Sequence, residues 1–189
     1  MSRDGVDSVL LDLELADLAD AARVVTGADA VVFAAGAGPG SGVARKDSVD
    51  RRAAVLMAAA AGMAGVPRHV QISSMGTEQV RNGADPAGVE AVFVAYLRAK
   101  LAAEDDLRSR PTLQWTILRP GRLTDVAGTG RVSLATTVPR GSVPRDDVAA
   151  VVVALLDNPA TSGRVLELTE GPTPIDDAVA AVVETNRES

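Results

Sequence analysis

Short apolar runs alternate along the chain with segments in which apolar residues recur at helical spacing. The runs predict β-strands at residues 9–15, 30–34, 69–72, 114–118 and 165–168. The i, i+3, i+4, i+7 spacing predicts helices around 18–25, 56–63, 148–155 and 175–182, and a further helix is predicted at 92–108. Strands that alternate with helices of these lengths indicate right-handed βαβ crossovers. We therefore expect an α/β fold with a mainly parallel sheet and helices on both faces.

A glycine-rich segment, residues 36–42, follows the strand predicted at 30–34. Its register matches neither G-x-G-x-x-G nor G-x-x-x-x-G-K-S/T, the two common phosphate-binding patterns. We interpret it as a flexible loop whose backbone turns sharply past a ligand or a neighbouring strand. Residues 76–91 and 122–144 are also expected to be loops, and Pro120 and Gly121 to end the strand that precedes the second loop.

The length and composition fit a single domain, residues 1–189, with an aliphatic core, since 47% of the chain is apolar and 2% aromatic. The net charge of −6 argues against nucleic acid as a partner, because such binders usually present a clustered basic face. With no cysteine and one histidine, His69, the chain offers no disulfide, thiolate nucleophile or zinc site.

No apolar run approaches the roughly 18 residues of a membrane span, and no signal-peptide pattern is present. We expect no membrane partner and a cytoplasmic location.

Tyr96 and Lys100 lie four residues apart on the predicted helix 92–108, which places the phenol and the ammonium on the same face. A nearby ammonium favours the phenolate, so we expect it to lower the pKa of Tyr96 toward a value useful for proton transfer. The alternative is an incidental pair, because any helix can carry Tyr and Lys at this spacing.

Polar side chains also follow the predicted strands. Ser73 and Ser74 end the strand 69–72, where a hydroxyl could bind a substrate oxygen or, alternatively, cap the next turn. Asp50 lies early in the helix after the glycine loop, where its carboxylate could act in the site or simply favour the helix N-terminus. Ligands of open α/β sheets bind outside the carboxyl ends of the strands, so these positions are the first candidates.

Taken in order, these segments resemble the atypical short-chain dehydrogenase/reductases, which are NAD(P)-binding proteins of the NAD-dependent epimerase/dehydratase type. The resemblance covers nearly the whole chain and is carried by residues 11–13, 30–36, 71–76, 96–100, 117–125 and 143–149. It implies a Rossmann-like fold and NAD or NADP as the cofactor.

The resemblance also implies roles for particular residues. The catalytic set would be Ser74, Tyr96 and Lys100, with Asp50 in place of the Asn of other members. The implied cofactor-binding positions all lie near the ends of strands, and they are Asp12, Ala35, Gly36, Ser73, Pro120, Gly121 and Leu123. Among these, 12 and 35–36 would lie by the adenosine and 120–123 by the nicotinamide.

The superfamily pattern begins with a strand, a G-x-x-G-x-x-G turn and a helix, whereas this sequence resembles the part that follows. We expect the first βαβ unit to be missing, so the fold would be N-terminally truncated and without the pyrophosphate cradle at a helix N-terminus. Residues 9–15 would then lose their usual neighbour in the sheet. We expect this strand to pair with residues 30–34, or the exposed edge to be covered in a homodimer.

Two functions therefore remain open. One is an NAD(P)-dependent oxidoreductase or epimerase acting on a small carbonyl or alcohol substrate, with Tyr96 as general acid/base. The other is a non-catalytic dinucleotide sensor or truncated interaction module, which the missing cradle would explain. A start of the natural chain upstream of Met1 would favour the enzyme.

Overall fold

A computed structural model describes residues 6–184. The strands are β1 (Ala30–Phe33), β2 (Arg68–Ile72), β3 (Gln114–Pro120), β4 (Arg122–Thr124), β5 (Arg131–Ala135), β6 (Ser142–Pro144), β7 (Arg164–Glu170) and β8 (Thr173–Pro174). The helices are α1 (Leu18–Val25), α2 (Val43–Arg45), α3 (Ala54–Met63), α4 (Ala91–Arg108), α5 (Arg145–Leu156) and α6 (Ile175–Glu184). Short 3₁₀ helices cover Thr77–Gly83 and Pro159–Thr161.

The main sheet has the order β1-β2-β3-β7-β5-β8. Strands β1, β2, β3 and β7 are parallel, whereas β5 runs antiparallel to β7 and β8 antiparallel to β5. A separate two-stranded sheet joins β4 and β6 in parallel. The Rossmann-like α/β fold with a mainly parallel sheet is therefore confirmed.

Helices cover both faces of the sheet, and each face has its own aliphatic cluster. Helices α1 and α3 pack on one face, where Ala58, Leu107 and Ile117 are buried in one cluster. Helices α5 and α6 pack on the other, where Leu118, Leu155 and Leu166 are fully buried. None of the helices within residues 6–184 is long and apolar enough to cross a membrane.

The strand predicted at residues 9–15 does not form, and that prediction and its expected pairing with 30–34 are wrong. Residues 7–12 have no regular structure, and a turn follows in which the amides of Leu15 and Ala16 donate to the Asp12 carbonyl. The Asp12 carboxylate accepts a bond from the Glu14 amide at 2.9 Å. An Asp side chain that satisfies a nearby amide competes with strand pairing, and here the local turn forms instead.

The chain between the glycine loop and α3 forms one continuous helical stretch with an unusual centre. After α2, residues Lys46–Ala53 are π-helical, and the α-helical pattern resumes at Ala54. The π-helical segment packs against α4 and buries both Lys46 and Asp50. Single π-helical segments inside α-helices are frequent at functional sites. This one brings two charged side chains to the carboxyl edge of the sheet.

Candidate active site

The site lies where β1, β2 and β3 end, as expected for a parallel sheet. The backbone after β2 is held to the end of β3, because the Ser73 amide donates to Leu118 at 2.7 Å and the Met75 amide to Pro120 at 3.1 Å. Two helical elements that pack against each other complete the site, the π-helical segment and α4.

Asp50 and Lys100 form a buried ion pair at the centre of the site. Their side chains are 1% and 6% exposed, and Nζ of Lys100 lies 3.3 Å from Oδ1 of Asp50. Lys100 also donates to the Ile72 carbonyl at 3.1 Å, and Asp50 accepts from the Ala37 amide at 3.3 Å. A Cβ at Gly36 would lie 3.1 Å from the Asp50 carboxylate. The pair therefore ties the ends of β1 and β2 to α4.

Tyr96 is half-buried, with Nζ of Lys100 5.9 Å from the centre of its ring. Burial raises the pKa of Tyr96, the neighbouring Ser74 hydroxyl opposes that rise, and the negative charge of Asp50 adds to it. Burial lowers the pKa of Lys100, and Asp50 opposes that fall. The expected lowering of the tyrosine pKa is thus wrong, because burial and the Asp50 charge outweigh the opposing effect of the Ser74 hydroxyl. Tyr96 is a protonated phenol at neutral pH.

The two serines after β2 have different environments. Ser74 is half-buried beside Tyr96, and its hydroxyl donates to the Met75 carbonyl at 3.1 Å. Ser73 is 4% exposed, and its hydroxyl donates to the buried carboxylate of Glu104. Ser74 therefore lies beside the Tyr96 phenol, whereas the Ser73 hydroxyl is hydrogen-bonded to Glu104 in the core.

Glu104 is the centre of a buried charge cluster that the sequence did not reveal. It is fully buried and accepts a bond at 2.9 Å from Nε of Arg119, on β3, and one at 2.8 Å from Arg108. Thr77 also donates to it, at 3.4 Å. Glu104 lies one helical turn after Lys100, a spacing that could have drawn attention to it.

Lys46 is the second site residue that the sequence reasoning missed. It is 9% exposed, its ammonium donates to the Gly38 carbonyl at 2.8 Å, and Nζ lies 5.2 Å from the centre of the Tyr96 ring. Gly38 and Gly40 have φ of +74° and +76°, which glycine adopts without strain. The sequence signal that could have identified Lys46 was its position four residues before Asp50.

The remaining predicted positions are distributed along the edge of the sheet. Asp12 and Ala35 are exposed, and Leu123 on β4 is 38% exposed. Pro120 is buried. A Cβ at Gly121 would lie 2.4 Å from the Gly141 carbonyl oxygen, so glycine is required for the approach of these two backbones. Only Asp50, Ser74, Tyr96 and Lys100 of the predicted set are joined by contacts or electrostatic interactions in the described residues.

A mainly parallel sheet with a serine, a tyrosine and a lysine at its carboxyl edge matches the atypical short-chain dehydrogenase/reductase class of NAD(P)-binding proteins. The profile of a family described as NAD(P)H-binding matches residues 2–159. The chain belongs to this NAD(P)H-binding family.

Three proteins of known sequence or structure are similar to this chain over most of its length. The uncharacterized sugar epimerase YhfK of Bacillus subtilis is 36% identical over 175 residues, which cover 93% of this chain and 78% of that protein. A Bacillus halodurans structure named for the NAD-dependent epimerases/dehydratases is 34% identical with a TM-score of 0.80, over 92% of this chain and 77% of that one. The oxidoreductase ylbE of Lactococcus lactis is 27% identical with a TM-score of 0.83, over 97% of this chain and 80% of that one.

The reacting end of the site fits the cofactor that the family implies. Ribose hydroxyls and a substrate carbonyl need hydrogen-bond donors, and the Ser74 hydroxyl, the Tyr96 phenol and the Lys100 ammonium supply them within one region. The ammonium is held by a carboxylate and a carbonyl, so it is positioned before any ligand binds.

Proposed function

We propose that the protein is an NAD(P)H-dependent oxidoreductase that reduces a small carbonyl substrate, with Tyr96 as the general acid. The observation that carries this proposal is the grouping of Tyr96, Ser74 and the Lys100–Asp50 ion pair at the end of β2. An epimerase would use the same groups; we propose reduction because a reduced carbonyl oxygen must receive a proton, which the Tyr96 phenol can donate.

Each residue has a role that follows from its chemistry. When bound, NAD(P)H supplies the hydride that reduces the carbonyl carbon. The Tyr96 phenol gives its proton to the carbonyl oxygen, so the products are an alcohol and a phenolate, which regains a proton from solvent. The Ser74 hydroxyl rotates away from the Met75 carbonyl and donates its hydrogen bond to the same oxygen. The Lys100 ammonium stabilises the transient phenolate, and Asp50 holds Lys100 in place.

The first experiment is titration of the purified chain with NADPH and with NADH, followed by nicotinamide fluorescence and by the thermal midpoint. A ligand that binds the folded state stabilises it by about 2.7 kcal/mol at one hundred times its Kd, so saturable binding and a rise in midpoint should occur together. The comparison of the two nucleotides also decides which of them the chain prefers.

The second experiment tests Tyr96 in turnover of a panel of aldehydes and ketones that includes 4-formylbenzoate. We expect Tyr96→Phe to retain cofactor binding and to lose turnover by about a hundredfold or more, because general acid catalysis contributes about that much. Arg98→Gln is the matched control on the same helix, since its exposed pair with Asp85 lies outside the site and its loss should change turnover little.

The alternative function, a non-catalytic dinucleotide sensor, gives a different result. A sensor would bind NADPH or NADH at micromolar concentration and turn over none of the panel, and Tyr96→Phe would change nothing measurable. No binding of either nucleotide at millimolar concentration would contradict both proposals.

A further inference from the structure

The chain has two lysines and one tyrosine, and both lysines lie against the tyrosine ring. Nζ of Lys46 is 5.2 Å and Nζ of Lys100 is 5.9 Å from the centre of the Tyr96 ring. The two ammonium groups come from separate elements, the π-helical segment and α4. This concentration of positive charge at one phenol is the starting point of the inference.

The two lysines differ in how their charge is balanced. Lys100 is paired with the Asp50 carboxylate at 3.3 Å. Lys46 is 9% exposed, yet within residues 6–184 it takes part in no ion pair, and its hydrogen bond goes to the neutral carbonyl of Gly38. A nearly buried charge without a counter-charge is unfavourable unless another group compensates it.

The carboxylates near Lys46 are already engaged. Asp50, four residues later, pairs with Lys100, and Asp47, the next residue, receives two hydrogen bonds from Arg51. Glu14 accepts bonds from Arg45 and from the Ser48 hydroxyl. These three carboxylates are thus engaged by other partners, and none of the ion pairs among residues 6–184 includes Lys46, so an anion that enters the site would meet a cation without a paired carboxylate.

We propose that Lys46 binds an anionic group of the substrate, a carboxylate or a phosphate, and so orients the substrate beside Tyr96. This inference rests on the proposed function and adds a substrate class to it. Phe93, 46% exposed, lies 5.6 Å from Tyr96 between ring centres and offers an apolar surface next to the phenol. The substrate class is therefore an acid with an apolar body that carries the carbonyl.

The test uses three probes that share one framework and differ in charge. These are 4-formylbenzoate, 4-formylphenyl phosphate and the uncharged methyl 4-formylbenzoate. Their dissociation constants are measured by calorimetry on the full chain, first without nucleotide and then saturated with NADP⁺, which cannot reduce them. The variants are Lys46→Met, which removes the charge at similar length, and Lys46→Arg, which retains it. Arg45→Met removes an exposed charge from the adjacent residue, whose partner is Glu14, and is the matched control.

The wild-type chain should bind at least one anionic probe about tenfold more tightly than the ester, since hydrogen bonds to charged groups are worth that much. Lys46→Met should abolish this preference, while Lys46→Arg and Arg45→Met should retain most of it. The carboxylate and phosphate probes show which anion is preferred.

Two results would overturn the inference. One is an equal preference for the anionic probe in wild type and Lys46→Met; if that variant also loses NADPH affinity tenfold, Lys46 is assigned to the cofactor phosphates. The other is the absence of any preference in the wild type, which includes failure of both anions to bind at millimolar concentration. Failure of the proposed function is separate, because it appears as absent nucleotide binding in the wild type.

Discussion

His69 shows how much a single residue in the core can influence stability. It is fully buried on β2, and neither ring nitrogen has a hydrogen-bond partner within the described residues. Burial lowers the pKa of His69 to about 4, and the charges of Arg110 and Arg68 add to this effect. The imidazole is therefore neutral in the folded protein at any pH above about 5.

This burial predicts an acid-sensitive fold. The unfolded chain takes up a proton at the ordinary pKa of 6.5 and the folded chain only near 4, so stability is complete above 6.5 and falls as pH drops toward 4. The loss is at most about 3 kcal/mol. Urea unfolding at pH 7.5 and at pH 4.5 should show it in the wild type and much less in His69→Val. Equal losses in both proteins would contradict the assignment to His69.

Some residues of the candidate site could be predicted from the sequence pattern, and others could not. Tyr96, Lys100, Ser74 and Asp50 follow from spacing, strand ends and the family resemblance, and the structure brings them together. The direction of the tyrosine pKa could not be predicted, because it depends on burial and on a carboxylate from another element.

At the scale of elements, α4 carries both the proposed catalytic groups and the charge cluster that fixes the helix to the sheet. Glu104 accepts from Arg119 on β3, from Ser73 after β2 and from Arg108 on α4 itself. The cluster therefore joins three elements, each of which contributes to the candidate site. We infer that it sets the distance between the end of β2 and the helix face that bears Lys100.

Removal of the central charge should reveal this role. Glu104→Gln leaves the Arg119 guanidinium buried with only a half-exposed carboxylate, Glu78, as partner, and we expect a loss of about 3–5 kcal/mol in unfolding free energy. Asp105→Asn, at the next position, removes a half-exposed partner of Arg108 and should cost less than about 1 kcal/mol. Chemical denaturation measures both, and similar losses would argue against a special role for Glu104.

Helix α4 and strand β3 were predicted well from sequence, whereas the strands between residues 122 and 144 were not. The helix predicted at 92–108 is α4, and the strand predicted at 114–118 lies within β3. The region 122–144 was read as a loop but contains β4, β5 and β6, two of which have three residues. Such short strands form because Gly121 and Gly141 allow two backbones to approach closely, a tertiary effect that no local periodicity records.

For the whole molecule, the main question is the edge of the sheet at β1, which has one neighbouring strand within residues 6–184. Strand β1 is the first strand in the sheet order and pairs with β2 on one side. Val32 on this strand is 40% exposed, and Leu10 and Leu15 before it in the chain are also exposed. Unpaired edges with apolar side chains favour pairing with another chain. We propose that two copies of the chain associate through β1.

Light scattering coupled to size exclusion tests this proposal. The wild-type chain should be dimeric, and Val32→Lys should be monomeric because a lysine on an edge strand opposes pairing. Val24→Lys places the same charge on α1, at a position that is also 40% exposed, and should remain dimeric. A monomeric wild type at about 100 µM would exclude the β1 interface at that concentration.

Because both lysines are buried, the rate at which a protease cleaves the peptide bonds after them measures how often the site opens. A protease that cleaves only after lysine has two target bonds in this chain, at Lys46 and Lys100, and both side chains are at most 9% exposed. Cleavage of a folded protein needs local opening, so its rate follows the population of the open form when reclosing is fast. A bound ligand that bridges the π-helical segment and α4 would slow the digestion, and that slowing requires neither turnover nor a label.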